Sequence, residues 1–243
     1  MKNDYESIDI LGVDVDIISI DNVLSEVEYA IHNGESLAFS AVNPHKLNMA
    51  SSDKDFREIY DKFDLVAPDS TGTLLAGRFL AEGFKGQRVS GDKIAPHLFN
   101  LSENMDISFF FLGGTKEVIS KAKRKIISSY PNLDVVGIHN GYFETEGPEN
   151  DRIIRIINDT KANVLFVGMG SPKQEKWICE NLNSLEVNAA ITMGGYFDLA
   201  TKRVDCYPHW VDTFKLNWLY RLLQEPGRLW RRYLFQTPVF FTK

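Results

Sequence analysis

Cysteine is scarce in this chain: the 243 residues include two, Cys179 and Cys206, which lie far apart and form no Cys-x-x-Cys pattern. This spacing excludes a disulfide-stapled scaffold and does not indicate a zinc site. Uncharged apolar runs are also short, and none approaches the roughly 18 residues that a membrane-spanning helix needs. Residues 1–12 are acidic and lack the apolar core of a signal peptide. We therefore expect a cytoplasmic protein.

An excess of positive charge is missing too, since 27 Lys and Arg face 33 Asp and Glu, for a net charge of −6. This balance argues against general nucleic-acid binding. The charge is unevenly spread, however: residues 209–243 carry +4 and residues 1–208 carry −10. The length suits one large α/β domain or a domain with an appendage. The charge asymmetry favours the second arrangement, with a body over residues 1–208 and a basic appendage over residues 209–243.

Two nucleotide-binding signatures are absent, the P-loop and the dinucleotide fingerprint, whose third glycine position is occupied by Lys173. What is present is an apolar stretch, Asn163–Val167, followed by Gly-Met-Gly and then by Ser171 and Pro172. The stretch predicts a buried strand, and the serine and proline favour the start of a helix with the serine as its cap. A strand, a glycine turn and a helix N-terminus can bind an anion, because unpaired N–H groups point at one place. A strand–helix connection without a ligand is the alternative.

A convincing metal motif is missing as well. Asp14 and Asp16 match the Asp-x-Asp pattern with which many sugar transferases hold a metal-bound nucleotide. Their alternation with Val13 and Val15 predicts instead an edge strand that exposes both carboxylates to solvent. We therefore expect no metal site here.

Strand-like runs alternate with helical patterns along the body of the chain. This order predicts an α/β fold, a Rossmann-like mostly parallel sheet with helices on both faces, plus a C-terminal helical appendage. The predicted strands of the sheet are Leu37–Val42, Asp64–Ala67, Ile107–Leu112, Val135–His139, Asn163–Val167 and Ala189–Met193.

Polar or glycine residues follow several of these strands, at the edge where open parallel sheets bind ligands. Asn43 is either a ligand-binding residue or an Asx turn before a proline. Asp69 is either a helix N-cap or a carboxylate that accepts a proton from a bound hydroxyl. The residue pattern alone leaves both alternatives open. Further glycine turns follow at Gly113-Gly114 and Gly194-Gly195.

The appendage is rich in aromatic residues, with nine in residues 209–243. Leu216, Leu219, Tyr220 and Leu223 form a helical apolar stripe, which Trp218 and Leu222 widen. One interpretation is a helical pair docked on the sheet. The other, which we favour, is an interfacial appendage that inserts apolar side chains at a membrane surface and places arginines on lipid phosphates.

Eight segments, in order along the chain, resemble the WecG/TagA/CpsF glycosyltransferase family. They are Val42–Pro44, Pro68-Asp69, Arg88–Gly91, Phe111–Gly114, Gly141–Phe143, Gly168–Ile178, Gly194–Asp198 and Asn217–Leu234. The resemblance implies an inverting, metal-independent transfer of a sugar, typically N-acetylmannosamine, from a UDP donor to a polyprenyl-diphosphate-linked sugar. It places that reaction at the inner face of the cell membrane, in teichoic acid or surface polysaccharide synthesis, and implies no cofactor.

The resemblance also implies roles for individual residues. Asp69 is the expected general base, and the tail arginines Arg221, Arg228 and Arg231 are expected to act in catalysis. The expected substrate-binding residues are Asn43, Ser70, Arg88, Gly113, Gly114, Gly168, Gly170, Ser171, Gln174, Gly194, Gly195 and Arg232.

The sequence departs from the family pattern at three positions: Ala41 replaces a hydroxyl residue, Ser70 replaces a glycine and Cys206 replaces an arginine. A missing hydroxyl in a sugar site changes which sugars are accepted. Another UDP-sugar donor, or an inactive membrane-docked nucleotide-sugar-binding protein, are therefore alternatives. A homo-oligomer is compatible with the sequence, which does not decide the oligomeric state.

Overall fold

The computed structural model describes residues 5–202 and, in the tail, residues 211, 216–224, 227, 230 and 240. The described chain begins with an antiparallel hairpin of β1, Ser7–Ile10, and β2, Val13–Asp16. Leu11 and Gly12 form its turn with positive φ angles of 57° and 82°, as two-residue hairpin turns require.

The remaining elements alternate along the chain. In order they are α1 Ile20–Asn33, β3 Leu37–Val42, α2 Pro44–Ser52, α3 Lys54–Glu58, a 3-10 turn Tyr60–Lys62, β4 Leu65–Pro68, α4 Thr71–Leu80, α5 Gly91–Leu101, β5 Ser108–Gly113, α6 Lys116–Ser129, β6 Asp134–His139, α7 Gly147–Asp159, β7 Val164–Gly168, α8 Lys173–Asn181, a 3-10 turn Leu182–Ser184, β8 Ala189–Thr192, α9 Tyr196–Ala200 and α10 Asn217–Gln224.

Six strands of the described chain form a parallel sheet in the order β4-β3-β8-β7-β5-β6. The predicted α/β class is thus confirmed, and each predicted strand of the sheet is found to within a residue at either end. Alternate side chains fill two apolar layers: Phe109 and Phe111 point to one, Phe110 and Leu112 to the other. Burial on both faces explains why these strands read as continuous apolar runs.

The hairpin corrects one expectation. Asp14 is exposed, as predicted, but Asp16 is only 6% exposed. Its Oδ2 accepts a hydrogen bond of 2.7 Å from the backbone N–H of Val66. Because β4 is the edge strand of the sheet, this N–H would otherwise lack a partner. Asp16 therefore closes the sheet edge, and the prediction that both carboxylates are exposed was wrong.

The helices divide between the two faces. The layer of Phe109 also contains residues of α1, α5, α6 and α9, and the layer of Phe110 contains residues of α2, α3, α7 and α8 with the hairpin. The neighbours β3 and β8 are thus followed by helices on opposite faces, as are the neighbours β5 and β7. Such places open crevices at the carboxyl edge of a sheet, here called the β3–β8 crevice and the β5–β7 crevice.

The described tail residues contact the core and also present apolar side chains to solvent. Val211 is buried in the layer of Phe109, against which Tyr220 packs, and Phe240 is buried in the other layer. Leu223 and Trp230 are exposed. Within the described residues, no helix combines the length and the apolar character needed to cross a membrane.

Candidate active site

A cavity of about 190 Å³ lies in the β3–β8 crevice. Its lining comes from the ends of four strands: Asn43 after β3, Asp69 after β4, Gly170 and Ser171 after β7, and Gly194-Gly195 after β8. The structure thus brings six of the predicted site residues to one place. Parallel strands run in one direction, so residues that end different strands meet at one edge.

Asn43 acts both as a helix cap and as a partner of the candidate base. Its Oδ1 accepts hydrogen bonds from the backbone N–H groups of His45 and Lys46, at 3.1 and 3.2 Å. Its Nδ2 donates to Oδ2 of Asp69 at 2.7 Å. The Asx turn before the proline is thus confirmed, and this cap fixes the rotamer that holds Asp69. Ligand binding by Asn43 stays a prediction.

Asp69 is not the cap of α4. That role belongs to Ser70, whose Oγ accepts from the backbone N–H of Thr73 at 3.3 Å. Asp69 is tied down through its backbone, since its N–H donates to the carbonyl of Val42 at 2.8 Å. Its carboxylate is left to face the cavity with Asn43 as its partner.

Arg88 lies behind the cavity wall and not among the residues that line it. Its Nε donates to the backbone carbonyl of Asp69 at 3.2 Å, and its Nη2 pairs with Asp92 at 2.6 Å. Asp92 does line the cavity. Arg88 thus fixes the loop after β4 against α5, and its predicted substrate contact stays a prediction.

Gln174 is fully buried beneath the two glycine turns. Its Oε1 accepts from the N–H of Gly170 at 3.2 Å and from the N–H of Gly194 at 3.0 Å. One side chain therefore ties the loop after β7 to the loop after β8. Its predicted role in substrate binding stays a prediction, and the contacts show a link between two walls of the cavity.

Ser171 is likewise not a helix cap. No side chain caps α8, and Ser171 Oγ donates to Oε1 of Glu175 at 2.9 Å. The predicted cap was wrong because a buried carboxylate lies within reach of the hydroxyl.

Three predicted glycines lie in the β5–β7 crevice, outside the cavity. A Cβ on Gly113 would collide with the carbonyl of Gly168, and Gly114 N–H donates to that same carbonyl at 3.2 Å. Gly114 also has a φ of 61°, which favours glycine. These glycines let two backbones close on each other, so the β5–β7 crevice is filled at this point by the chain itself.

Comparison with known proteins bears on the chemistry of this edge. A model of the glycosyl transferase WecG/TagA/CpsF family matches residues 8–243. The chain belongs to this family. It is 26% identical over 244 residues to the N-acetylglucosaminyldiphosphoundecaprenol N-acetyl-beta-D-mannosaminyltransferase of Staphylococcus aureus (strain MW2), covering 100% of this chain and 93% of the relative. A protein of the same name from Bacillus subtilis (strain 168) is 29% identical over 195 residues, which are 80% of this chain and 74% of the relative.

Family membership makes the chain a glycosyltransferase, which confirms the resemblance read from the sequence. Two of its three departures from the family pattern can be placed. Ala41 lines the cavity, so the missing hydroxyl is missing from the cavity wall. Ser70 caps α4. Cys206 lies outside the described residues, as do Arg228, Arg231, Arg232 and the side chain of Arg221.

Two residues beside the cavity were missed by sequence reasoning, Lys46 and Glu175. The Nζ of Lys46 lies 2.7 Å from Oε1 of Glu175, and Lys46 also lines the cavity. Each residue lies in the first turn of a helix. Lysine and glutamate are common in helices, so neither residue stands out in the sequence. Their proximity depends on α2 and α8 sharing one face of the sheet, which local sequence does not show.

Two further titratable groups lie on the same face of the sheet. Burial raises the pKa of the Tyr60 hydroxyl well above its ordinary value, and the nearby Glu175 carboxylate raises it further. Burial also raises the pKa of the Cys179 thiol to about 12. Both groups therefore keep their protons at neutral pH, and Cys179 has no thiolate character. Among the residues that the structure describes, no three His, Cys, Asp or Glu side chains are grouped to hold a metal ion.

Proposed function

We propose that this glycosyltransferase transfers N-acetylmannosamine from a UDP donor to a polyprenyl-diphosphate-linked N-acetylglucosamine, with inversion at the anomeric carbon and without a metal ion. The observation that carries the proposal is the carboxylate of Asp69 at the cavity, held by Asn43 Nδ2 at 2.7 Å. The names of the relatives, which describe transfer of a mannosaminyl group to an undecaprenol-linked acceptor, support the substrates.

In this proposal Asp69 is the general base. Asn43 engages Oδ2, which leaves Oδ1 to accept the proton of the acceptor hydroxyl. The hydroxyl oxygen forms a bond to the anomeric carbon while the bond from that carbon to the UDP oxygen breaks. The electron pair of the broken bond leaves with UDP. Attack on the face opposite the leaving group inverts the configuration.

The departing UDP gains negative charge, which a metal-free site has to neutralise with cations or N–H groups. Of the described residues that line the cavity, Lys46 is the one lysine or arginine, and it is already paired with Glu175. We assign the missing cations to the tail arginines Arg221, Arg228 and Arg231. The excess of +4 in residues 209–243 supports this assignment.

The size of the cavity supports a contribution from the tail as well. At about 190 Å³ it is smaller than the roughly 300–1,000 Å³ of pockets that enclose a whole drug-sized ligand. In our proposal it encloses one part of the UDP-sugar, and the remainder lies across the open edge of the sheet beneath the tail.

Exposed apolar side chains support a lipid-linked acceptor at the inner membrane surface. On α4 the side chains of Leu75, Phe79 and Leu80 are exposed, Phe79 by 90%. Because α4 begins directly after Asp69 and Ser70, this apolar surface leads away from the candidate base. Leu223 and Trp230 expose further apolar area in the tail. Such groups stabilise peripheral binding to a lipid surface.

The test uses the full chain, a short-chain polyprenyl-diphosphate N-acetylglucosamine and a panel of UDP-sugars. We expect UDP release and a disaccharide product with UDP-N-acetylmannosamine, an inverted anomeric configuration by proton NMR, and unchanged turnover in chelator. Turnover with a different UDP-sugar would identify that sugar as the donor instead. The panel is included because Ala41 replaces a hydroxyl residue in the cavity wall, and a missing hydroxyl changes which sugars are accepted. Binding of UDP-sugars without any turnover would contradict the proposed reaction.

A further inference from the structure

We infer that Lys46 and Glu175 form a positioning pair, which sets the spacing between the Asn43–Asp69 side of the cavity and the Gly170–Ser171 loop. The inference rests on the proposed function, because the spacing matters for bringing the acceptor hydroxyl to the donor sugar. Neither residue was among the predicted site residues, and Glu175 is not part of the cavity lining.

Lys46 anchors the pair on the side of the cavity that holds the candidate base. Lys46 lies in the first turn of α2, whose N-cap is Asn43, the residue that holds Asp69. Its Nζ donates to the carbonyl of Ala41 at 2.7 Å as well as pairing with Glu175 at 2.7 Å. The ammonium group is therefore fixed to the end of β3 on the side of the candidate base.

The carboxylate of Glu175 contacts three side chains through one oxygen. Besides Lys46, its Oε1 accepts from Ser171 Oγ at 2.9 Å and from Gln174 Nε2 at 2.8 Å. Oε1 of Gln174 in turn accepts hydrogen bonds from the N–H groups of Gly170 and Gly194. One carboxylate oxygen thus joins, directly or through one side chain, the loops that follow β3, β7 and β8.

This arrangement costs free energy, because it buries charge. Glu175 is 0% exposed, and its Oε2 is buried without a hydrogen-bond partner. A buried ion pair with an unpaired oxygen is a poor source of stability, since apolar residues of similar volume are often as stabilising or more so. What the charged pair does provide is a short, directional link between two helix N-termini that flank one cavity. Reactions that join two substrates are sensitive to such spacing.

The decisive variant is Lys46→Met combined with Glu175→Gln. Removing either charge alone leaves the other buried without its partner, so single variants confuse folding with function. The double variant removes both charges, keeps an oxygen at position 175 for Ser171 and Gln174, and cuts the link between α2 and α8. Its matched control is Lys54→Met with Glu58→Gln, which removes an exposed ion pair of 3.2 Å that lies away from the cavity.

We expect the double variant to unfold cooperatively near the wild-type midpoint, yet to show a kcat lowered by about 10- to 100-fold with the KM for the donor nearly unchanged. The control pair should leave both constants unchanged. Glu175→Asp provides a second variant, which keeps the charges and shortens the side chain by one methylene. It should fold and lose about 10-fold in kcat. A folded double variant or a folded Glu175→Asp with wild-type kcat would overturn the inference.

A readout without substrate separates this inference from the proposed function. The N–H of His45 donates to Asn43 Oδ1, so its hydrogen exchange reports on the cap beside Asp69. In the double variant this amide should exchange at least several-fold faster, while the amides of Phe111 and Phe166 in the sheet keep their wild-type rates. If wild-type protein transfers no sugar but the exchange changes as expected, the proposed function fails and the positioning role stands. Unchanged exchange at His45 counts against the pair itself.

Discussion

The two crevices at the carboxyl edge both contain glycine turns but have opposite outcomes. In both, neighbouring parallel strands send their helices to opposite faces of the sheet. In the β3–β8 crevice β8 ends in a glycine turn and β3 ends at Asn43, whereas in the β5–β7 crevice both strands end in glycine turns. The β3–β8 crevice contains the cavity, lined by Asn43 and Asp69. The β5–β7 crevice is closed where Gly113 and Gly168 bring two backbones together. Glycines after a strand therefore allow either a ligand or another piece of chain to approach closely.

The largest expected effect concerns the open crevice. Asp69→Asn should leave the fold and UDP affinity intact and lower kcat by about 10²–10⁴, as loss of a general base does. The measurement is UDP release under saturating donor and acceptor. Asp53→Asn is the matched control, because Asp53 is a helix cap away from the cavity whose Oδ1 accepts from Phe56 N–H. Near-wild-type turnover in a folded Asp69→Asn protein would remove Asp69 from the reaction.

The tail arginines test whether the open crevice is completed by residues 209–243. We expect at least one of Arg221→Ala, Arg228→Ala and Arg231→Ala to lower turnover on a soluble short-chain acceptor by about 10²–10³, as loss of one preorganised donor to a developing charge does. An arginine that only docks on lipid should instead lose salt-dependent binding to anionic vesicles. Full activity of all three variants on the soluble acceptor would limit the tail to anchoring.

Deleting the whole tail is a less clean experiment. Val211 and Phe240 are buried in the two core layers, so truncation would remove core packing together with the basic residues. Loss of activity on truncation would then have two causes. The point variants separate them.

A methyl group added in the closed crevice should destabilise the fold more than a methyl group added in the open crevice. In Gly113→Ala the new methyl group would meet the backbone of Gly168, whereas in Gly194→Ala it would have no atom within 4 Å. Both variants also place a side chain at a positive φ, 150° at Gly113 and 55° at Gly194, and such strain costs about 1–3 kcal/mol at either position. We expect Gly113→Ala to lower the free energy of unfolding by more than Gly194→Ala, as measured by chemical denaturation. Equal losses in the free energy of unfolding would show that the β5–β7 glycines are not needed for close packing of the two backbones.

The free energy of unfolding at alkaline pH tests the burial of Cys179 and Tyr60, which lie on the face of the sheet behind the open crevice. The pKa of Cys179 is raised from 9.0 to about 12, so above pH 9 the unfolded chain releases this proton while the folded chain keeps it. The folded state then binds more protons, and the free energy of unfolding must fall as pH rises from 9 towards 12. Tyr60, whose pKa is also raised, adds to the fall above its ordinary value of 10.0. Cys179→Ala should make the fall shallower in denaturation series between pH 8 and 11, and an unchanged slope would contradict the assignment.

The smallest expected effect on catalysis lies at the surface. Phe79→Ser, on the helix that starts beside the open crevice, should weaken sedimentation with anionic vesicles several-fold and leave turnover on a soluble acceptor unchanged. Tyr142→Ser is the matched control, since Tyr142 is also exposed but lies beside the β5–β7 crevice. Equal losses in the two variants would mean that exposed aromatic area alone, and not its place beside the candidate base, governs binding.

Local sequence was sufficient for the strands of the sheet and for the edge at which the candidate site lies. Apolar runs gave the strands of the sheet, and Asn43 and Asp69 were recognisable because each directly follows a strand. These signals are local, since they depend on alternation and on the residue that ends each element. The family resemblance added the chemistry, which membership in the WecG/TagA/CpsF glycosyl transferases confirms at the level of a glycosyltransferase.

The order of the strands, by contrast, was decided by the tertiary structure. It makes β4 the edge strand, which is why Asp16 is buried against Val66 and not exposed with Asp14. It also places α2 and α8 on one face, which brings Lys46 to Glu175. Which crevice opens follows from the same order, because the volume between two strand ends depends on the side chains and backbones that become neighbours. Those neighbours are distant in the sequence, so no local pattern could distinguish a glycine that lines a cavity from one that closes it.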